Sequence, residues 1–280
     1  MQTSVWVLKT ILSQYPEDKR KSLETFLSSE EKEALDALPS AELKWEDEPP
    51  ILDRIHWSWF LPILKAHAQK EQKLFVSSLP KAFQEPIRHE LKMREIESSL
   101  SEVGKRFLLK TLMTSLVGEE IRLLPIFFLP LSSLMPLLKL DKNEMIRFVD
   151  RLSLFDLADA MQRIVETKIL KKIYSFLSEE EQGFLKMAMA QKQKTTLAPL
   201  KLESWDGSQS KLRLLLHKRG LSRLGIALST QHPDFTWYVC HSLDVGRGSS
   251  LEKSSKIEAT PSVRKMALKQ AEEILRRGFA

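Results

Sequence analysis

The sequence has one cysteine, Cys240, in 280 residues. That excludes an internal disulfide and fits a reducing compartment. Glycine is scarce too, with nine copies. Val, Ile, Thr and Tyr form no long alternating runs, so strands have little support. The stretch "LLPIFFLPLSSLMPLL" between Arg122 and Lys139 has sixteen uncharged residues, below the roughly 20 that span a bilayer. Pro125, Pro130 and Pro136 would break its helical ladder three times. It is expected to be a buried connector, with no membrane span. The opening residues "MQTSVWVLKTIL" lack a charged segment followed by a long apolar one, so no signal peptide is expected.

What the chain does have is helix formers. Leu, Lys, Glu, Ala and Met are plentiful. A hydrophobic fraction of 42% and a charged fraction of 29% suit a folded protein with a real core. The expected fold class is all-α: stacked short helices in two or three subdomains. The net charge of +6 is unevenly placed. Residues 1–200 hold 29 Lys and Arg against 29 Asp and Glu, whereas residues 201–280 hold 14 against 8. A basic C-terminal module points to an acidic partner.

Punctuation along the chain divides it into six parts. Residues 1–38 read as a helical hairpin, whose first helix carries Trp6, Leu8, Ile11 and Leu12. Residues 39–50 form an acidic, proline-bounded linker with Glu46, Asp47 and Glu48. Residues 51–120 form a helical domain, residues 121–192 a helical repeat, residues 193–210 a polar connector and residues 211–280 the basic module. In 140–192 three side chains stand where a helix cap would, each with a carboxylate three residues on: Asp141 with Glu144, Ser153 with Asp156, and Ser178 with Glu181. These starts predict four short helices.

Two ten-residue stretches, "FLSSEEKEAL" (26–35) and "FLSEEEQGFL" (176–185), agree at six positions. Much of that identity is a capping box, Ser28 with Glu31 and Ser178 with Glu181. The match also extends backward, because Lys21, Leu23 and Phe26 correspond to Lys171, Ile173 and Phe176. Both a true repeat and two independent helix caps remain open.

Catalytic and metal chemistry finds little foothold. No C-x-x-C occurs, and His89-Glu90 is followed by Met93 where a zinc-binding helix needs a second His. Cys240 and His241 are neighbours, and on a helix their side chains diverge by about 100°. No G-x-S-x-G occurs and no spacing singles out a triad. His56, His67 and His89 sit in helical patterns, at surface or packing positions. "VGRGSS" (245–250) lacks a P-loop ending and is expected to be a helix stop at Gly246. "IHWSWFLPIL" (55–64) is either core or an aromatic binding patch. "HKRGLSR" brings together Lys218, Arg219 and Arg223, with Trp237 and Tyr238 nearby. Such a patch can track phosphates or meet an acidic protein. The segment "FTWYVCHSL" has strand propensity but follows a His-Pro start, and helix is expected.

The stretch from "LSSLMPLLKL" to "SFLSEEEQGFLKM" resembles the armadillo-like helical repeats of the flagellar rotor protein FliG. Middle domains of that family carry Glu-His-Pro-Gln ahead of an apolar helix that helps bind the switch-complex partner. Here Gln231, His232, Pro233 and Asp234 lead into such a helix and reach Leu243 at the same distance. His232 and Pro233 match the family, whereas Gln231 and Asp234 depart from it. The chain as a whole resembles the SctK-like sorting-platform adaptors and chaperones of type III secretion. The resemblance implies a non-enzymatic cytoplasmic adaptor that needs no cofactor or metal. It implies protein partners in a secretion complex and peripheral association with a membrane-anchored ring. Partner-binding candidates are Gln231, His232, Pro233, Asp234, Lys218, Arg219, Arg223 and Trp237. Nucleic acid is the second reading, and an enzyme of a helical class the third.

Overall fold

A computed structural model describes residues 5, 8, 9, 12, 15–37, 51–93, 100–118, 123–190, 200, 202 and 205–278. Trp6 and Ile11, the acidic linker 39–50 and most of the connector 193–210 lie outside the described residues. Among those described, every regular element is helical, and thirteen α-helices are bounded. None is long and apolar enough to cross a membrane.

The N-terminal pair is α1 (Glu17–Glu24) and α2 (Ser29–Ala37). The next group is α3 (Phe60–Lys65), α4 (Gln69–Ser78), α5 (Lys81–Glu90) and α6 (Glu102–Val117). Phe60, Leu64, Val76, Ile87 and Leu112 close a small core here. Ile55 and Phe60 of the aromatic stretch are buried in it.

The larger core is built on α7 (Lys142–Met161), α8 (Thr167–Ser175), α9 (Glu179–Ala190), α10 (Gln209–Leu228), α11 (Pro233–Ser242), α12 (Val245–Ser255) and α13 (Pro261–Arg277). Helix α10 packs against α7, α12 and α13, and α9 covers α7. One continuous set of buried residues runs from Leu129 to Ile274. The expected repeat (121–192) and basic module (211–280) therefore share a core instead of standing as separate units. The prolines keep 123–140 from forming a long helix. It runs instead through two 3-10 turns, Ile126–Phe128 and Met135–Lys139, burying Leu129, Leu134 and Leu137.

Two local expectations need correction. The predicted start at Ser153 does not exist, because α7 is a single 20-residue helix. It begins where Asp141 accepts from the Glu144 N–H at 2.8 Å and Glu144 accepts from the Asp141 N–H at 2.8 Å. Ser153 sits inside it and donates to the carbonyl of Asp150 at 2.6 Å. A serine hydroxyl can bond back along a helix as readily as it can cap one, and the apolar period continues across it. The stretch 140–192 thus holds three helices, not four.

The second correction is "VGRGSS", which starts α12 rather than ending a helix. Asp244 is its cap, accepting from the Arg247 N–H at 3.2 Å. Gly248 is needed for packing: a Cβ there would collide with the carbonyl oxygen of Cys240 and come within 2.5 Å of Trp59. Gly220 serves α10 similarly, since a Cβ would strike the carbonyl oxygen of Val149 on α7. Close helix crossings of this kind admit only glycine.

A hydrogen-bonded seam joins the two cores. The His56 N–H donates to the carbonyl of His241 at 2.8 Å, and the Val245 N–H donates to Ser58 Oγ at 2.8 Å. The Trp59 indole N–H donates to the carbonyl of Leu243 at 2.8 Å.

Candidate partner-binding site

Helix α11 begins as the His-Pro pair predicts. Pro233 occupies its first turn, where the missing N–H costs no hydrogen bond, and His232 caps it by accepting from the Asp234 N–H at 3.2 Å. "FTWYVCHSL" is accordingly helical, ending at Ser242.

The motif that resembles a partner-binding element is engaged within its own chain. The carboxylate of Asp234 accepts from the backbone N–H of Leu124 at 2.9 Å. One turn on, the Tyr238 hydroxyl donates to the carbonyl of the same Leu124 at 3.0 Å. Ser132 donates its hydroxyl to the carboxamide oxygen of Gln231. Three side chains thus hold the 123–133 connector against α11. Gln231 and Asp234, the two positions that depart from the FliG motif, both make these internal bonds, while Pro233 stays exposed.

Trp237 faces inward from the same helix. Its ring stacks on His241 at 3.8 Å, and His241 stacks on Trp59 at 4.0 Å, so an imidazole lies between two indoles at the seam. The carbonyl of Trp237 can only accept, so the His241 Nδ1 that lies 2.8 Å from it carries the proton. Burial pushes the His241 pKa down to about 4 and the Cys240 thiol up to about 12. Both are therefore neutral at ordinary pH, and the thiol is not poised as a nucleophile. A cleft of about 290 Å³ opens beside Trp237 and His241. Its Glu252 and Lys256 pair with each other at 2.7 Å.

The basic trio does not form a surface patch. Arg223 is fully buried, donating to both oxygens of Asp156 at 3.0 and 2.7 Å and to Gln270. Arg219 shares that carboxylate, its Nε lying 3.3 Å from Asp156 Oδ2. Of the three, Lys218 alone is exposed. A buried guanidinium persists only where its donors are met, and Asp156 meets this one from 67 residues earlier in the chain.

A second polar array escaped the sequence reading. His217 Nδ1 lies 2.7 Å from Asp150, Arg247 Nε donates to His217 Nε2 at 3.0 Å, and Arg247 also pairs with Asp244. Nearby, Lys142 Nζ lies 3.0 Å from His56 Nε2. Burial and then the Lys142 charge lower the His56 pKa. These groups tie α7, α10 and α12 to the 51–60 segment. Among the described residues no three His, Cys, Asp or Glu side chains are grouped to hold a metal ion.

Comparison of the chain with protein-family models, with curated proteins and with solved structures gives no match.

Proposed function

We propose that the chain is a non-enzymatic adaptor or chaperone of a type III secretion or related flagellar-type apparatus, binding protein partners through helix surfaces. One observation carries the protein-binding part. Helix α6 is apolar on two sides. One side packs Leu112 and its neighbours into the smaller core. The other leaves Val103 and Phe107 exposed at 79% and 68%. They stand one turn apart, with the exposed cations Arg106 and Lys110 beside them along one flank. Two apolar anchors at i and i+4 are what a partner groove or helix reads, and an aromatic anchor with basic neighbours is a common hot-spot composition. The assignment to secretion rests on the FliG-like and SctK-like resemblance, which implies a cytoplasmic protein associated with a membrane-anchored ring.

The test is pairwise binding of purified protein to each cytosolic component of the cognate apparatus. Wild type binds at least one, and the double change Val103→Glu, Phe107→Glu abolishes that binding without altering helicity or melting temperature. Wild type that binds none of them sinks the secretion reading. Binding that survives the double change moves the contact away from α6.

A further inference from the structure

The two similar stretches make the same turn and the same capping box. In the first, the Phe26 and Leu27 N–H groups donate to Leu23 and Glu24 carbonyls, both at 3.2 Å. In the second, Phe176 and Leu177 donate to Ile173 and Tyr174 at 3.1 and 3.2 Å. Both capping boxes close: Ser28 and Ser178 N–H groups each donate to the following Glu at 2.8 Å. The Glu31 and Glu181 N–H groups return to the serine hydroxyls at 3.3 and 3.2 Å. The agreement covers the turn as well as the cap.

Their surroundings differ. In the second hairpin Ile173 and Leu177 are buried, and Phe176 packs edge-on against Trp205. Helix α10 reaches it through one side chain: Arg213 donates to the carbonyl of Phe176 at 2.6 Å and to Glu181 at 2.8 Å. In the first hairpin the equivalent Leu23 and Phe26 are exposed at 40% and 85%, and Glu31 is exposed. Helix α9 of the second hairpin lies on α7, and α10 supplies one cation, Arg213, to the acidic side of the turn.

Helix α10 also carries an exposed edge with two cations on it. Lys211, Leu214 and Lys218, at i, i+3 and i+7, share one exposed face, with Leu214 55% accessible. The charges are complementary. Helix α2 holds Glu30, Glu31, Glu33 and Asp36 against Lys32 alone, four acids to one base. Among the described residues Lys211 pairs with the exposed Asp206 at 2.6 Å, a pair that exchanges at little cost.

We infer that the N-terminal hairpin of one copy docks, through Leu23, Phe26 and the acids of α2, on the Lys211–Leu214–Lys218 edge of a second copy. The two surfaces differ, so the contact is head-to-tail and repeats from copy to copy as an open chain or a closed ring. This surface is separate from the Val103–Phe107 face, so the fate of one does not decide the other.

Sedimentation velocity on the full chain tests it. The mass of wild type is expected to rise with concentration to at least twice the monomer, and to fall back in high salt, where surface pairs are screened. Glu30→Lys, Glu33→Lys and Lys211→Glu, Lys218→Glu should each be monomeric, with melting curves like wild type. Mixing the two variants should restore the larger species, because each supplies the charge the other needs. Wild type that stays monomeric throughout overturns the inference. So does either variant associating alone as wild type does, or a mixture of the two that remains monomeric.

Discussion

Asp234 on α11 accepts the backbone N–H of Leu124, 110 positions earlier, at 2.9 Å. That contact gives the Gln231–Asp234 stretch a job inside the fold. Asp234→Ala leaves the Leu124 N–H without this acceptor, and losing a hydrogen bond to a charged group costs about 1.5–3 kcal/mol. Urea unfolding should show that loss. An unchanged midpoint would mean the connector is not held here.

Arg223 and Lys218 lie five residues apart on one helix and should behave oppositely. Arg223→Ala leaves Asp156 buried without its main partner, a change that costs about 3–5 kcal/mol. Lys218→Ala, on the exposed face, should stay within about 0.5 kcal/mol. Thermal unfolding of both variants checks the contrast.

Gly220→Ala tests the α7–α10 crossing. On helix propensity alone alanine gains about 1 kcal/mol. The added methyl meets backbone of Val149, which cannot swing aside, and overpacking costs about 1–3 kcal/mol. Net destabilisation is expected. A more stable variant would show that the helices separate readily.

Acid should loosen the seam. Burial holds His241 near a pKa of about 4, and burial with Lys142 lowers His56. Unfolded imidazoles take protons at about 6.5. Between those values the unfolded chain binds more protons, so stability is full above about pH 6.5 and drains as pH falls toward about 4. For His241 the amount is about 3 kcal/mol. The carboxylates with lowered pKa, Glu181 and Asp244, fade only at lower pH. Urea midpoints between about pH 7 and 5 should fall for wild type and fall less for His241→Phe. A flat wild-type profile would contradict the assignment.

The helix starts were legible where the chemistry is local. Asp141 and Ser178 announce themselves within a few residues, and the helices begin there. Ser153 carries the same local pattern and misleads, because the choice between capping and back-bonding is made by the apolar residues on either side. Burial of Arg223 was not legible at all. A cation on a helix reads as surface until the fold brings Asp156 to it from 67 positions away. The internal bonds of Gln231 and Asp234 were not legible for the same reason, since their partners are backbone and hydroxyl groups of a distant connector. Gly220 and Gly248 give no local sign of their role. Only the neighbouring helix reveals that they are clearances.

The seam between the cores has a consequence for how the chain can be divided. Its three hydrogen bonds and the Trp59–His241–Trp237 stack connect residues 56–59 with residues 237–245. These residues belong to the smaller and the larger core, on either side of the junction between them in sequence. A molecule severed there by a protease would keep its two pieces together through native purification, and they would part only on denaturing gels. The N- and C-terminal halves of this protein are thus halves of the covalent chain before they are halves of the structure.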